Sequence, residues 1–255
     1  MQLDAFCERL DDRLDTAAYA DLDVSANGLQ IGPEAASVDH VTFAVDAAVQ
    51  TIETAVNEGA DVLVVHHGLI WDDLERVTGK HFRRIAPLVQ NDVALYVSHL
   101  PLDGHQELGN AAGVGDVIGL ADREPFGELG PEYIGQVGRV GGEPYSPDGL
   151  RDTLEAELEP LRSVQLLDFG PDTIEDVAVV TGSGVDWFDE AVEHDVDAFV
   201  TGEGKQAVYH DAREAEVHVY LAGHYATETF GVRSLRALAE DWGLDTSFID
   251  APTGL

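Results

Sequence analysis

The sequence predicts an α/β protein made of two related α/β halves. Short apolar runs that are typical of buried strands alternate with amphipathic segments that are typical of helices. The second half of the chain also repeats the pattern of the first at fixed spacings. We therefore place the first half at residues 1–124 and the second at residues 125–255.

The first half opens with a clear alternation of strand and helix. Residues 41–45 are typical of a strand, and residues 47–58 place their apolar side chains on one helical face before Gly59, a favourable helix stop. Residues 62–65 and 93–97 are continuously apolar, as strands are when helices cover both faces of a sheet. This order predicts βαβ units.

The second half follows a connector over residues 121–149 that is rich in Gly and Pro and contains one candidate strand, residues 133–140. Beyond it the pattern predicts helices at residues 148–158 and 227–241, a strand at residues 163–168 and a short closing strand at residues 248–249.

An internal repeat relates the two halves. Residues 60–68 (ADVLVVHHG) align with residues 196–204 (VDAFVTGEG) at an offset of 136, and DVALYVSH resembles EVHVYLAGH at an offset near 124. General similarity among apolar strands could explain part of this match. A histidine followed four residues later by an acid comes after the matched strand in both halves, which favours duplication.

The charge balance limits the possible partners. The chain has 49 acidic and 14 basic residues, a formal net charge of −35, and such a surface repels nucleic acid and anionic membranes. An acidic partner-binding face would be one explanation. The acids are instead spread through every segment, which favours a solvated surface of the kind found in salt-accumulating halophiles.

Other classes of protein are also disfavoured. No apolar run reaches the length of about 18 residues that spans a bilayer, and the first residues lack the features of a secretory signal. We therefore expect a cytoplasmic protein that binds no membrane. The single cysteine, Cys7, excludes an intrachain disulfide framework and a cysteine-based zinc cluster.

Six metal-capable side chains stand where predicted strands end. They are His66, His67, His99, Asp103, His224 and Glu228. Imidazole and carboxylate ligands suit Zn, Fe, Mn or Ni. Because neighbouring strand residues point to opposite faces, each of the adjacent histidines is expected to hold one ion of a close pair. The pattern predicts a site with more than one metal, at the junction of the two halves.

Structural explanations exist for the same residues. A single histidine at a strand end is more often a hydrogen-bonded structural residue than a ligand. The spacing of His224 and Glu228 also fits an ordinary pair at the start of a helix, with Thr227 as its N-cap and Glu228 in its first turn. A glutamate at that position is well oriented for a metal too, so the two explanations are compatible.

Five stretches resemble one known family across nearly the whole chain. They are SANGLQIG (25–32), VVHHGLIW (64–71), LYVSHLPLDGHQELGNA (95–111), AFVTGEGKQAVYHDAREA (198–215) and VYLAGHYATETFGVRSL (219–235). On these motifs the chain resembles the Nif-three-like dinuclear metal-centre family, the GTP cyclohydrolase I type 2 homologs. It is most similar to the shorter, bacterial-type members, which lack an inserted domain.

The resemblance implies two divalent ions per chain. Their ligands would be His66, His67, Asp103, His224 and Glu228. His67 and Asp103 would then serve one ion, His66 and His224 the other, and Glu228 would bridge them. His99 would lie behind the ligands or act as a catalytic proton-transfer group. Glu203, where many members carry Asp, is a second group that could move protons. Family members are similar in forming toroidal homohexamers.

The implied activity is a metal-dependent hydrolase that uses an activated water to attack C8 of a purine nucleotide. A phosphate-binding patch should accompany such a ligand, yet the sequence offers only scattered cations such as Lys205, Arg139 and Arg233, and no P-loop. Non-catalytic storage or trafficking of iron or nickel is an alternative function. A regulatory scaffold stabilised by metal is another.

Overall fold

The computed structural model describes residues 1–33, 36–72 and 74–255. The helices are α1 (Leu3–Leu14), α2 (Val49–Glu58), α3 (Lys80–Gln90), α4 (Leu100–Gly104), α5 (Asn110–Val117), α6 (Pro147–Leu158), α7 (Phe188–Glu193), α8 (Val208–Ala215), α9 (His224–Thr227) and α10 (Thr229–Asp241). The strands are β1 (Gly28–Ile31), β2 (His40–Asp46), β3 (Val62–His67), β4 (Ala94–Val97), β5 (Leu120–Leu129), β6 (Glu132–Val140), β7 (Gln165–Leu167), β8 (Asp176–Val179), β9 (Ala198–Thr201), β10 (His218–Leu221) and β11 (Asp245–Phe248). The predicted α/β class is confirmed.

The chain divides into two compact units. The first comprises Met1–Leu102 and Gly231–Ala251, and the second comprises Asp103–Phe230 and Pro252–Leu255. The predicted boundary between residues 124 and 125 falls inside β5, whose long pairing with β6 keeps both strands in the second unit. The contacts therefore divide the chain elsewhere, since residues 231–251 return to the first unit and residues 252–255 belong to the second.

The first unit is built on a sheet with the strand order β1-β4-β3-β2-β11 in the described chain. β11, β2, β3 and β4 are parallel, and β1 closes one edge antiparallel to β4. The helical crossovers α2 and α3 join the parallel strands. Ile52 of α2 and Leu88 of α3 are fully buried with Leu63 and Leu95 of the sheet, which explains the continuously apolar strands.

The second unit has the order β5-β6-β8-β9-β10-β7 in the part of the chain that is described. β8, β9 and β10 are parallel, whereas β6 and β7 pair antiparallel to β8 and β10. Leu150 and Leu154 of α6 are fully buried in its core with Val177 and Val200 of the sheet. Proline at the first helical position and a Ser146 side chain that accepts from the Gly149 N–H begin this helix.

The two units repeat one another in detail, as the offsets in the sequence predict. Val62 pairs with Ala94 in the first sheet and Ala198 pairs with His218 in the second, at positions related by 136 and 124. Asp61 accepts hydrogen bonds from two consecutive backbone N–H groups, and Asp197 does the same at the equivalent point. These shared strand pairings and carboxylate contacts make the halves related structures.

Local differences from the expected elements occur in the connector, where the strand β5 was not predicted, and near the end of the chain. The predicted helix 227–241 is two helices, because α9 stops at Thr227 and α10 begins at Thr229. The closing strand, expected at residues 248–249, is β11 and begins at Asp245. No helix in the described residues is long and apolar enough to cross a membrane.

Candidate metal centre

His66 and His67 end β3, the central strand of the first sheet. Their ring centroids are 4.6 Å apart and the ring planes are tilted by 50°. His66 is fully buried, whereas the His67 side chain is 19% exposed. The two rings point in different directions at the strand end but stay close together, so adjacent residues present neighbouring nitrogen atoms.

A third histidine joins them from the next parallel strand. His99 follows β4, and its ring centroid lies 5.1 Å from that of His66 and 5.6 Å from that of His67. One ring nitrogen from each of the three lies within 4.8 Å of the others. The carboxyl ends of parallel strands meet at one sheet edge, which places these residues together.

Each of these imidazoles is oriented by a hydrogen bond at Nδ1. The bonds join His66 to the Ser98 carbonyl at 2.9 Å, His67 to Asp46 Oδ1 at 3.0 Å and His99 to Asp23 Oδ1 at 2.9 Å. A carbonyl or carboxylate oxygen only accepts, so Nδ1 carries the proton and Nε2 keeps the lone pair of the neutral ring. Histidines that bind metals are commonly held in this way.

Asp23 organises the support around His99. Its carboxylate accepts from the backbone N–H groups of Ser25 and Leu100 and from the Asn27 amide, and Asn27 Oδ1 in turn accepts from the His99 N–H at 2.7 Å. Burial raises the pKa of Asp23, but hydrogen bonding from His99 and Asn27 outweighs it and leaves that pKa below its ordinary value. Asp23 therefore stays ionised and fixes the His99 ring.

The turn after β3 is held by Gln30. Its side-chain oxygen accepts from the N–H groups of Leu69 and Ile70, at 2.8 and 3.0 Å. Gly68 is required at this turn, since a Cβ there would come within 2.6 Å of the Gln30 amide nitrogen. Together, Asn27 and Gln30 give a structural reason for the SANGLQIG motif.

Trp71 covers one side of the histidine group. Its indole N–H donates to the Gly68 carbonyl at 3.1 Å. The ring meets His99 edge to face, with centroids 4.9 Å apart, and lies 6.1 Å from His67. It is 38% exposed, so it forms an apolar wall between the histidines and solvent.

The second unit brings together its own ligand candidates. His224 begins α9 after β10, and its Nε2 lies 3.2 Å from Oε2 of Glu228, which is 3% exposed. Glu203 accepts from His224 Nδ1 at 3.1 Å, so this ring is oriented like the three of the first unit. Two ligand atoms of one ion, each bonded at about 2 Å, typically come about 3 Å apart, which this pair matches.

Asp103 places a second buried carboxylate near Glu228. It is 8% exposed, and its Oδ1 accepts from the Asn110 amide at 2.8 Å and from the Thr181 hydroxyl at 3.2 Å. A carboxylate oxygen of Asp103 lies within 4.8 Å of one of Glu228. Two buried anions at this distance repel each other, and a cation between them would offset that repulsion.

Thr227 has a different role from the helix cap that its spacing suggests. Its hydroxyl donates toward the carbonyls of Gly223 and His224, and it accepts from the Gly182 N–H at 3.1 Å. Gly182 has φ +59°, and a Cβ there would meet a Glu228 carboxylate oxygen and come within 3.2 Å of His224 Nε2. The residue is therefore a glycine because the side chains of Glu228 and His224 occupy the adjoining space.

Hydrogen bonding and charge determine the protonation of this pair in the absence of metal. Burial lowers the pKa of His224, but the bond to Glu228 and the charges of Glu228 and Glu203 raise it overall, to about 9. A hydrogen bond from Ser183 lowers the pKa of Glu203, with a smaller contribution from His224. A metal ion would have to displace the His224 proton, which couples binding to pH.

The donor set fits a transition-metal ion. All six side chains singled out in the sequence lie in these two groups, three histidines in the first unit and Asp103, His224 and Glu228 in the second. Sequence reasoning missed the partners Asp23 and Asp46, and it offered Glu203 as a proton-transfer group without predicting its hydrogen bond to His224. Asp46 could have been found as an acid at the end of the strand beside β3.

We expect Gly182→Ala to reduce metal content. The new Cβ has no room beside Glu228 and adds strain at a positive φ, so the carboxylate must move. Elemental analysis of the purified variant should show a loss of bound metal relative to wild type. Gly142→Ala, where a Cβ meets nothing within 4 Å, should keep the wild-type content. Unchanged metal in Gly182→Ala would contradict this geometry.

We also expect the His224 ring of the metal-free protein to titrate near pH 9. The folded state favours the charged ring, so its contribution to stability is complete below the ordinary pKa of 6.5 and is lost as pH rises through about 9. NMR titration of the ring measures this value, and Glu203→Gln should lower it by removing a negative charge. A midpoint of 6.5 or less in the wild type would contradict the prediction.

Comparison with known proteins agrees with this architecture. The family model of Duf34/NIF3 (NGG1p interacting factor 3) matches residues 1–253. Proteins named "GTP cyclohydrolase 1 type 2 homolog" are 55% identical in Halobacterium salinarum and 40% in Pyrococcus abyssi, each over 100% of both chains. The solved structure of protein ybgI, a protein of unknown function, has a TM-score of 0.92 at 34% identity, with both chains fully covered. A Thermus thermophilus structure gives 0.89 at 37%, again over both full chains. The chain therefore belongs to the Duf34/NIF3 family.

Proposed function

We propose that this chain is a dinuclear metal-dependent hydrolase of the GTP cyclohydrolase 1 type 2 homolog type. Two divalent ions, of Fe, Mn, Zn or Ni, would be held by His66, His67, Asp103, His224 and Glu228. The observation that carries the proposal is the shared orientation of the histidines. Each ligand histidine donates from Nδ1 to an oxygen that only accepts, which presents Nε2 for coordination.

The division of ligands between the ions follows the family resemblance. In this proposal His67 and Asp103 serve one ion, His66 and His224 the other, and Glu228 bridges both. Mixed imidazole and carboxylate donors accept several divalent metals, so the donor set supports a metal without selecting one. The same resemblance leads us to propose a toroidal homohexamer, and the mass measured by light scattering should be six times that of the 27.4 kDa chain.

The chemistry that we propose is hydrolysis, and two bound metal ions would supply an acidified water at neutral pH. His99 is the proposed proton-transfer residue. Asp23 anchors its Nδ1, so its Nε2 can take up or release a proton beside the other two histidines. Trp71 restricts solvent on that side, and Glu203 keeps His224 oriented.

One pair of measurements tests the proposal. Protein purified without added metal should contain up to two ions per chain, and His66→Ala combined with Glu228→Ala should remove them. His210→Ala, a change at an exposed histidine outside the site, should retain the wild-type metal content. Metal content unchanged in the double variant would show that the ligands lie elsewhere.

Turnover is then measured with metal-loaded protein on nucleotides and phosphoesters. We expect hydrolysis above that of a chelated control, and a loss of at least about 100-fold for His99→Gln if this residue transfers the proton. An absence of turnover over the chelated control would reject the hydrolase. Rapid, reversible exchange of metal with a partner protein would then favour metal delivery, and partner binding that survives Glu228→Gln would favour a scaffold.

A further inference from the structure

The densest group of cations in the chain lies just beyond Trp71. Four of the 14 Lys and Arg residues fall within residues 76–84: Arg76, Lys80, Arg83 and Arg84. Lys80 begins α3, and the two arginines lie in its first turns. In a chain with 49 acidic residues, so many cations in one short segment require an explanation.

Ion pairs with carboxylates of the described residues do not explain this group of cations. Of the ten Lys and Arg residues outside this segment, five form ion pairs with acids: Arg123, Arg139, Arg151, Lys205 and Arg236. Among the residues that the structure describes, none of the four cations at residues 76–84 forms an ion pair. Four positive charges so close in the chain repel one another, and a bound anion would offset the repulsion.

Two of these cations line a cavity. Arg76 and Lys80 border a space of about 470 Å³ together with Leu69, Trp71, Leu74, Glu75 and His81. Pockets for small molecules are typically about 300–1,000 Å³, so the cavity can admit one. The helix start adds to the positive potential, because the N-cap of α3 is Gly79, which has no side chain to cap the first N–H groups.

Trp71 joins this cavity to the histidine group. The same indole that lines the cavity contacts His99 edge to face, with centroids 4.9 Å apart. A ligand with an anionic group on Arg76 and Lys80 can therefore extend along Trp71 toward the histidines. A phosphate group suits the cations best, since it accepts several charge-assisted hydrogen bonds at once.

We propose that this cavity binds the phosphate group of a small phosphorylated ligand through Arg76 and Lys80, beside the histidines that Trp71 covers. The proposal of phosphate binding depends only on the cations at residues 76–84 and on the cavity that Arg76 and Lys80 line. The further step, that this ligand is the substrate, rests on the proposed function. In that case the hydrolase acts on a phosphorylated substrate. The cluster supplies the basic patch that a nucleotide ligand requires.

Equilibrium dialysis of the full-length, chelator-treated protein tests the proposal, with inorganic phosphate, GTP and guanosine as probes. We expect the metal-free wild type to bind phosphate and GTP, and Arg76→Ala with Lys80→Ala to weaken both by at least about tenfold. Guanosine binding should not depend on the pair. Added salt should weaken the binding of both anions, since the contacts are solvent-accessible ion pairs.

The matched control is Arg162→Ala with Arg213→Ala, which removes two exposed cations from the second unit. It should keep both affinities within about twofold of wild type, since general charge effects at a distance are screened. Equal weakening by the two double variants would overturn the proposal, because net charge alone would then explain binding. Phosphate binding that occurs only after metal is restored would also overturn the proposal, because the metal would then be the binding group.

Failure of this inference is distinguishable from failure of the proposed function. Glu228→Gln should lose metal and leave phosphate affinity in the chelated protein unchanged, because Glu228 does not line the cavity. Circular dichroism of the Arg76→Ala, Lys80→Ala variant should match wild type, since both side chains are exposed. Phosphate affinity that is retained in this folded variant would place the anion elsewhere.

Discussion

The site depends on one recurring interaction, a hydrogen bond from histidine Nδ1 to an oxygen that can only accept. It occurs at His66, His67, His99 and His224, with a backbone carbonyl or a carboxylate as the partner. The bond fixes the tautomer and the direction of the ring together. Without it each imidazole could turn or change tautomer, and Nε2 would no longer be held in a fixed direction within its own unit.

The fold supplies these bonds from strand ends. In each unit, parallel strands joined by helices bring polar residues to one edge of a sheet while their apolar stretches stay buried. The repeat shows how far the two units have diverged. Asp61 and Asp197 keep the same contacts, whereas the position of His67 in the first unit corresponds to Glu203 in the second, a residue that supports a ligand.

The distribution of charge also separates a general surface property from local binding groups. The excess of acid over the whole chain favours solubility and disfavours anionic polymers. Against that background, the buried Asp103 and Glu228 favour a cation, and the cations at residues 76–84 favour an anion. A metal site beside a phosphate-binding cavity would place positive charge next to the negative phosphate group of such a ligand.

The sequence by itself determined the parallel strands of the first repeat, β2, β3 and β4, together with the repeat and the six metal-capable side chains, because these follow from local periodicity and from residues adjacent in the chain. It did not predict the antiparallel strands β1 and β5. The tertiary structure decided what holds those side chains: Asp23 lies 76 residues before His99, and Asp46 lies 21 before His67. It also revealed that Arg76 and Lys80 border a cavity, and that the cations at residues 76–84 form no ion pair among the described residues. Such contacts join segments that only folding brings together, so spacing along the chain carries no direct record of them.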